Sequence, residues 1–332
     1  MKIAYITERN LTSNQLSGAI TKDLRLLKIL QSFSSVQVYF NDTTIFHKYY
    51  YLLNNGNINE KLFSEINENA YDLIIISAMV ISPYLEGYRK IKGKKIFYFA
   101  DSQFHEKNQK LSLKYTLLTT ILANKEKSIL KNNLCAYLGE DEIKYIPKRY
   151  QQNCLVFPFA IDLNQYSFQN DGKLILVGQF SYLPNYQMLV NINKIADKIH
   201  SKIYIYGQNI PDLDYKENMI VVGYADQLDD VYKDARALLY TIDYGVGIKN
   251  KVLEAMSYGV PTIGYKEAFT NLELENGKSC IEINDEKALI DAANNLDLSE
   301  ISKQAYHTTE KKYSTEHITE IIKKSISQAI EN

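Results

Sequence analysis

The chain has no tryptophan, three cysteines, five histidines and six prolines among 332 residues. Each shortage excludes something. Cys135, Cys154 and Cys280 are scattered, odd in number and form no C-x-x-C pair, which argues against a disulfide framework or a cysteine zinc site and fits a reducing compartment. The histidines show no H-E-x-x-H or other ligand spacing, so no metal is expected. No apolar run approaches the ~18 residues that span a bilayer. The first residues, MKIAYITERN, carry charges straight after an apolar run, unlike a secretory signal, and the expected location is cytoplasmic. Neither sign of charge dominates: 38 basic residues face 39 acidic ones, a net charge of −1, which leaves no overall field for nucleic acid.

What is present is alternation. Short β-rich runs at 2–7, 36–40, 71–77, 94–100, 134–139 and 154–160 are separated by helical patterns, including 18–31 and a long one over 107–131. A second series begins at 173–178 and continues at 203–207, 219–223, 237–242, 261–265 and 279–283, with helical patterns at 186–200, 226–235, 250–258 and 285–296. Short apolar runs bounded by helices are the mark of parallel sheets with crossover helices. The expectation is two doubly wound α/β domains, each working at the carboxyl ends of its strands. The segment 157–172 has no clear periodicity and reads as the linker. The domains are expected at 1–160 and 161–305, with a helical tail over 306–332 that packs back on the first domain.

Charge is unevenly spread. Residues 88–131 hold eleven Lys/Arg against three Asp/Glu, and 172–305 hold thirteen against nineteen. A solvated helix face explains the first figure; so does a basic surface that leans on anionic lipid or an anionic acceptor.

The stretch GVGIKNKVLEAMSYGVPTIG (245–264) follows a strand, has a glycine-rich loop and opens a helix near Asn250. Gly245 and Gly247 allow close backbone approach, and free amides suit an anion. Lys251 stands in the first turn, where a cation is disfavoured unless an anion is present, and Glu254 follows on the same face. The pattern suits a nucleoside diphosphate, with the lysine on phosphate and the carboxylate on ribose. A surface Lys/Glu pair on a packing helix has the same spacing.

Together with VGQFSYLPNYQ (177–187), MIVVGYADQLDDVYKDARALLYTI (219–242) and FPFAIDLNQY (157–166), this stretch resembles the signatures of the family 4 (group 1) glycosyltransferases. The resemblance covers about 155–300. It implies the GT-B fold: two Rossmann-like doubly wound parallel-sheet domains facing a central cleft, the first for the acceptor and the second for the nucleotide sugar. It implies donor-nucleotide contacts at Gly18 (in a loop before the first helix), Gly178, Tyr224 at the base, Gly247, Ile248, Lys249, Asn250, Lys251, Val252 and Glu254. Glu254 matches the ribose-binding second glutamate of the E-x7-E motif. The first falls at Val246, a departure for which Asp243 is a candidate substitute. Lys251 matches the phosphate lysine, while Lys249 stands between the phosphates and solvent.

By resemblance the activity is hexosyl transfer from a nucleotide-diphosphate sugar, a UDP-sugar foremost, with no further cofactor. It retains anomeric configuration, needs no metal, and serves surface polysaccharide synthesis: capsule, O-antigen or lipopolysaccharide. The acceptor is a glycan or a lipid-linked one, met at the inner face of the membrane through the basic 88–131 region. Lys251 and Glu254 carry catalysis on this reading. An inverting variant would need a base in the first domain, for which Asp101 and His105 are the candidates. An inactive GT-B partner subunit is the other alternative, resting on Val246. An NAD-dependent oxidoreductase is disfavoured, because the turn after the first strand lacks G-x-G-x-x-G.

Overall fold

The computed structural model describes residues 1–9, 11, 18–40, 66–82, 84–107, 113–244 and 247–331. The chain divides into two compact units, Met1–Ala160 with Thr315–Asn332, and Ile161–Ser314.

The first unit begins with β1 (Lys2–Thr7), α1 (Gly18–Phe33), β2 (Ser35–Phe40), β3 (Leu73–Ser77), α2 (Leu85–Lys90) and β4 (Lys95–Ala100). It continues with α3 (Gln103–Lys107), α4 (Leu113–Leu130), β5 (Leu134–Tyr137), α5 (Glu140–Ile143), α6 (Lys148–Gln151) and β6 (Cys154–Val156). The strands form one parallel sheet in the order β2-β1-β3-β4-β5-β6. Ile3 pairs with Val36 on one side and Leu73 on the other. Such strands are covered on both faces, which is why LIIIS is buried at every position and reads as a continuous apolar run.

The second unit repeats the plan with β7 (Lys173–Gln179), α7 (Leu183–Ile195), β8 (Ile203–Gln208), β9 (Met219–Gly223), α8 (Leu228–Tyr232) and β10 (Ala235–Tyr240). Then come α9 (Asn250–Met256), β11 (Thr262–Gly264), β12 (Ile281–Glu282), α10 (Glu286–Asn295) and α11 (Ser299–Tyr313). Its parallel sheet runs β12-β11-β10-β7-β8-β9. Local chemistry sets the helix starts: Pro184 in the first turn of α7 fits its fixed φ, and Asp285 accepts from Ala288 N at 2.7 Å to cap α10.

The chain ends in α12 (Thr315–Glu331), assigned to the first unit, where it packs on α1 and β6. Ile318, Ile322 and Ile326 are buried at a spacing of four, one stripe of the helix, at about 1.5–3 kcal/mol each in transfer terms.

Four expectations shift. Gly18 is the first residue of α1 rather than a loop residue before it. The helical tail expected over 306–332 is the end of one helix (α11) and the whole of the next, because Ser314 is extended (φ −59°, ψ 147°), so the chain leaves the second unit at 314 and not at 305. The segment 157–172 is no free linker. Phe157, Phe159 and Ala160 are buried, Ile161 N donates to Tyr313 O at 2.8 Å, and Asn164 is tied to Ser257 through backbone and side chain. The helical pattern over 107–131 is α3 and α4, with 108–112 outside the described residues.

Candidate functional site

In the second sheet the chain moves from β7 to β8 and β9 on one side, then returns to β10 on the other. The loops after β7 and β10 therefore open side by side at the carboxyl edge, where doubly wound sheets hold their ligands. Gly207 has φ +138°, and a Cβ there would lie 1.7 Å from Gly178 O, so only glycine lets the ends of β7 and β8 close up. Gly178 is itself buried against the Phe180 ring and Asn185, which makes it a packing residue. Asn185 on α7 donates to Gln179 O at 3.0 Å. Its Oδ1 and that of Asn250 are buried and meet no donor among the described residues. Tyr224 stands exposed after β9.

The loop after β10 enters α9 through Gly247, whose φ of +77° is left-handed. Gly247, Ile248, Lys249, Val252 and Leu253 are buried, while Asn250, Lys251 and Glu254 are half-buried. Lys249 is a correction: it does not point to solvent. Only 8% of it is exposed, and its ammonium donates to Gly247 O at 2.9 Å, bracing the loop that starts the helix. Burial lowers the Lys251 ammonium from the ordinary lysine range, and Glu254 opposes that. Val246 and Gly245 lie outside the described residues, and Asp243 is exposed.

Beneath Glu254 sits a group of tyrosines that sequence reasoning missed. The buried Tyr232, the last residue of α8, donates from its OH to Glu254 Oε2 at 3.2 Å. Its ring stacks on Tyr258 (5.6 Å between centroids, 25° between planes). Tyr258 in turn donates to Asp229 Oδ1 at 2.5 Å. Burial first, then the Glu254 charge, raises Tyr232 well above the ordinary phenol range, so it stays a donor. Tyr232 and Glu254 are 22 residues apart, and the local signal was the resemblance of the stretch 219–242, in which no role attached to Tyr232.

The first sheet reverses between β1 and β3. Beyond those strand ends and β4 lies a cleft of about 360 Å³. Arg9, Lys22, Asp23, Tyr98, Asp101, Gln103 and Glu106 supply its polar wall, and Met79, Ile81 and Leu122 an apolar one. Asp23 is fully buried: Arg9 Nη1 reaches both of its oxygens at 3.0 Å, and Thr7 and Ser77 donate to them as well. Asp101 accepts from Lys22 Nζ at 3.1 Å. Just before it, Asp101 N donates to Phe99 O at 2.9 Å, closing a γ-turn about Ala100 at φ +67°, an uncommon conformation for a residue with a Cβ.

Asp101 therefore lines the cleft, and His105 does not. His105 is buried, with Nδ1 2.9 Å from Glu142 Oε1 and its ring stacked on Tyr145 at 4.6 Å. A general base must reach the acceptor hydroxyl, and this imidazole is closed in by a carboxylate and a phenol ring. With Glu142 and Glu126 it holds the start of α3: Ser102 N donates to Glu142, and Gln103 N and Ser102 Oγ donate to Glu126. Burial pushes the Glu126 carboxyl up to about 7, against the hydrogen bonds from Tyr137, Gln103 and Ser102. Gly18 opens α1. Among the described residues no three His, Cys, Asp or Glu side chains are grouped to hold a metal, and no helix is long and apolar enough to cross a membrane.

Residues 171–297 match the family described as Glycosyl transferases group 1. No curated protein matches the sequence significantly. Among solved structures, sucrose-phosphate synthase from Thermosynechococcus elongatus superposes with a TM-score of 0.69 at 15% identity, over 99% of this chain and 98% of that one. Anabaena Alr3699/HepE in complex with UDP and glucose gives 0.67 at 14% identity, over 98% and 99%. A glycosyltransferase from Rickettsia africae gives 0.64 at 12% identity, over 100% and 99%.

Proposed function

We propose that this chain is a glycosyltransferase of group 1 with the GT-B fold, and that it moves a hexose from a UDP-sugar to a hydroxyl of a glycan or glycolipid acceptor in surface polysaccharide synthesis. The observation that carries the reading is the α9 mouth, where Asn250, Lys251 and Glu254 stand half-buried on a helix whose remaining residues, Val252, Leu253, Ala255 and Met256, are buried. UDP-bound and UDP-glucose-bound structures of Alr3699/HepE support the choice of nucleotide.

In this account the diphosphate sits at the amides of 247–251 and beside Lys251, and its negative charge offsets the cost that burial places on the ammonium. Glu254, held from beneath by Tyr232, accepts from the ribose hydroxyls. Transfer forms a bond from the acceptor oxygen to the sugar C1 and breaks the bond from C1 to the diphosphate oxygen. The electron pair leaves with UDP, which also takes the hydroxyl proton. Lys251 and the amides are in place before the charge develops, which lowers the barrier without reorganisation. Retention of configuration and independence of metal belong to the same proposal.

The account places the enzyme at the inner face of an anionic membrane. Leu117, Leu118 and Ile121 are exposed along α4 within the basic 88–131 segment, where apolar insertion and lysine attraction act together. Flotation with phosphatidylglycerol vesicles is the check: Leu117→Glu/Ile121→Glu is expected to leave the chain unbound. Function is tested by incubating the protein with UDP-hexoses, EDTA and a lipid-linked glycan. Mass spectrometry should find the extended glycan and free UDP, and NMR the donor's anomeric configuration. Transfer only with added metal, or with an inverted anomer, would remove those parts of the reading. Absence of any transfer across the donors removes the whole of it.

A further inference from the structure

The cleft of the first unit carries an unexpected charge balance. Its segment of sequence is strongly basic at 88–131, yet the cationic groups in the cleft wall, Arg9 and Lys22, come from outside that segment. Both are engaged. Arg9 is held on the fully buried Asp23 and on Ser77 at 2.9 Å, and Lys22 on Asp101. Glu106 is left over, with no cation paired to it among the described residues. Among the described residues, two positive and three negative groups line the cleft.

We propose that this cleft takes the uncharged, hydroxyl-bearing end of a glycan and rejects a phosphate terminus. The proposal rests on the glycosyltransferase reading above and names the acceptor class for it. A phosphate entering here meets two closed ion pairs and a further carboxylate. Drawing Arg9 toward it strips Asp23 of its partner and leaves a buried charge uncompensated, which costs more than an exposed pair returns.

A neutral sugar meets the opposite reception. Asp101, Gln103 and Glu106 present hydrogen-bond acceptors along one wall, and sugar hydroxyls are donors. Asp101 Oδ1 and Gln103 Oε1 are buried with no donor among the described residues, a cost that a ligand hydroxyl removes. Met79 and Ile81, 51% and 37% exposed, and Leu122 offer an apolar wall for the C–H face of a ring. The volume of about 360 Å³ lies at the small end of ligand sites, suited to one or two sugar rings. Burial raises Glu106, with its Gln103 hydrogen bond opposing and the Asp101 and Glu142 charges adding to it, so the carboxyl gains further from a donor hydroxyl.

The consequence is a place in a reaction order. The chain extends a glycan that an earlier glycosyl transfer has begun, rather than starting one on a lipid phosphate. The acceptor oxygen that bonds to the donor C1 is then a sugar hydroxyl, its proton leaves with UDP, and the product is a longer neutral glycan end.

The test uses the full chain and ligand-observed NMR at pH 7.5. Octyl glucoside and octyl galactoside are compared with glucose 1-phosphate and galactose 1-phosphate, and UDP is titrated in parallel. The expected result is binding of the octyl glycosides about tenfold tighter than the phosphates, as like-charge juxtaposition dictates. Glu106→Lys should narrow or reverse that order while UDP affinity holds, which also reports an intact second unit. Glu106→Gln, which keeps the shape, should weaken the rejection of phosphate by less. Phosphates bound as tightly as the glycosides, or neither class bound by a chain that still binds UDP, overturns the proposal. A wild-type chain that fails to bind UDP sinks the underlying reading instead.

Discussion

Both units are six-stranded parallel sheets whose order reverses once, between β1 and β3 in the first and between β7 and β10 in the second. Their mouths are nevertheless built to opposite charge rules. At the second, burial disfavours the charge of the half-buried Lys251, and one carboxylate, Glu254, stands a turn away on a phenol donor. At the first, among the described residues, each cation is closed on a carboxylate and Glu106 remains in excess. The scaffold supplies a place where two loops part; the side chains there decide which ligand the place suits. A mouth with a cation in want of an anion suits a diphosphate, and a mouth of filled pairs and surplus acceptors suits hydroxyls.

The comparison can be broken at several points, and the largest effect is expected at Glu254. Glu254→Ala should lower kcat/KM for the UDP-sugar by about 2–3 kcal/mol, the range for hydrogen bonds to a charged group, and leave the Tyr232 hydroxyl without its acceptor. Steady-state kinetics read this, with a thermal melt to confirm folding.

The buried carboxylates of the first unit give the next. Glu126 has a folded pKa of about 7, above its unfolded value of about 4.3. The folded state therefore holds the proton longer, and stability falls as pH rises from about 4.3 toward 7, then levels off. Melting temperature followed from pH 5 to 8 should drop by a few degrees in the wild type. Glu126→Gln should flatten that slope; an unchanged slope assigns the pH dependence elsewhere.

The smallest effect is expected for Tyr232→Phe, which keeps the stack on Tyr258 and removes one hydrogen bond. UDP affinity should fall by about 1 kcal/mol with the melting temperature nearly unchanged. An equal loss in both would make the tyrosine a packing residue.

Much of the fold was legible because parallel strands are covered on both faces. Every run read as a strand, from KIAYIT to SCIEI, contains one, although 154–160 is a strand only at Cys154–Val156 and 279–283 only at Ile281–Glu282. Helices α5 and α6 were not, since four residues cannot display a period of 3.6. The candidate site divided along similar lines. Gly247 to Glu254 form one local stretch, so their grouping could be read directly. Lys249 could not, because a lysine that buries its stem and bonds a carbonyl two residues back looks in sequence like any surface lysine. His105 looked like a base because its partner Glu142 lies 37 residues on. The pairs that set the first mouth, Arg9 with Asp23 and Lys22 with Asp101, are 14 and 79 residues apart and exist only once the sheet has formed.

The central claim is that the α9 mouth holds the diphosphate of the donor, and calorimetry with two ligands tests it most directly. UDP and uridine are titrated into the wild type and into Lys251→Ala. The account predicts that UDP binds the wild type more tightly than uridine does, and that the variant loses about 1–3 kcal/mol of UDP affinity while uridine is unaffected. Equal losses for both ligands, or no loss for either, would contradict it.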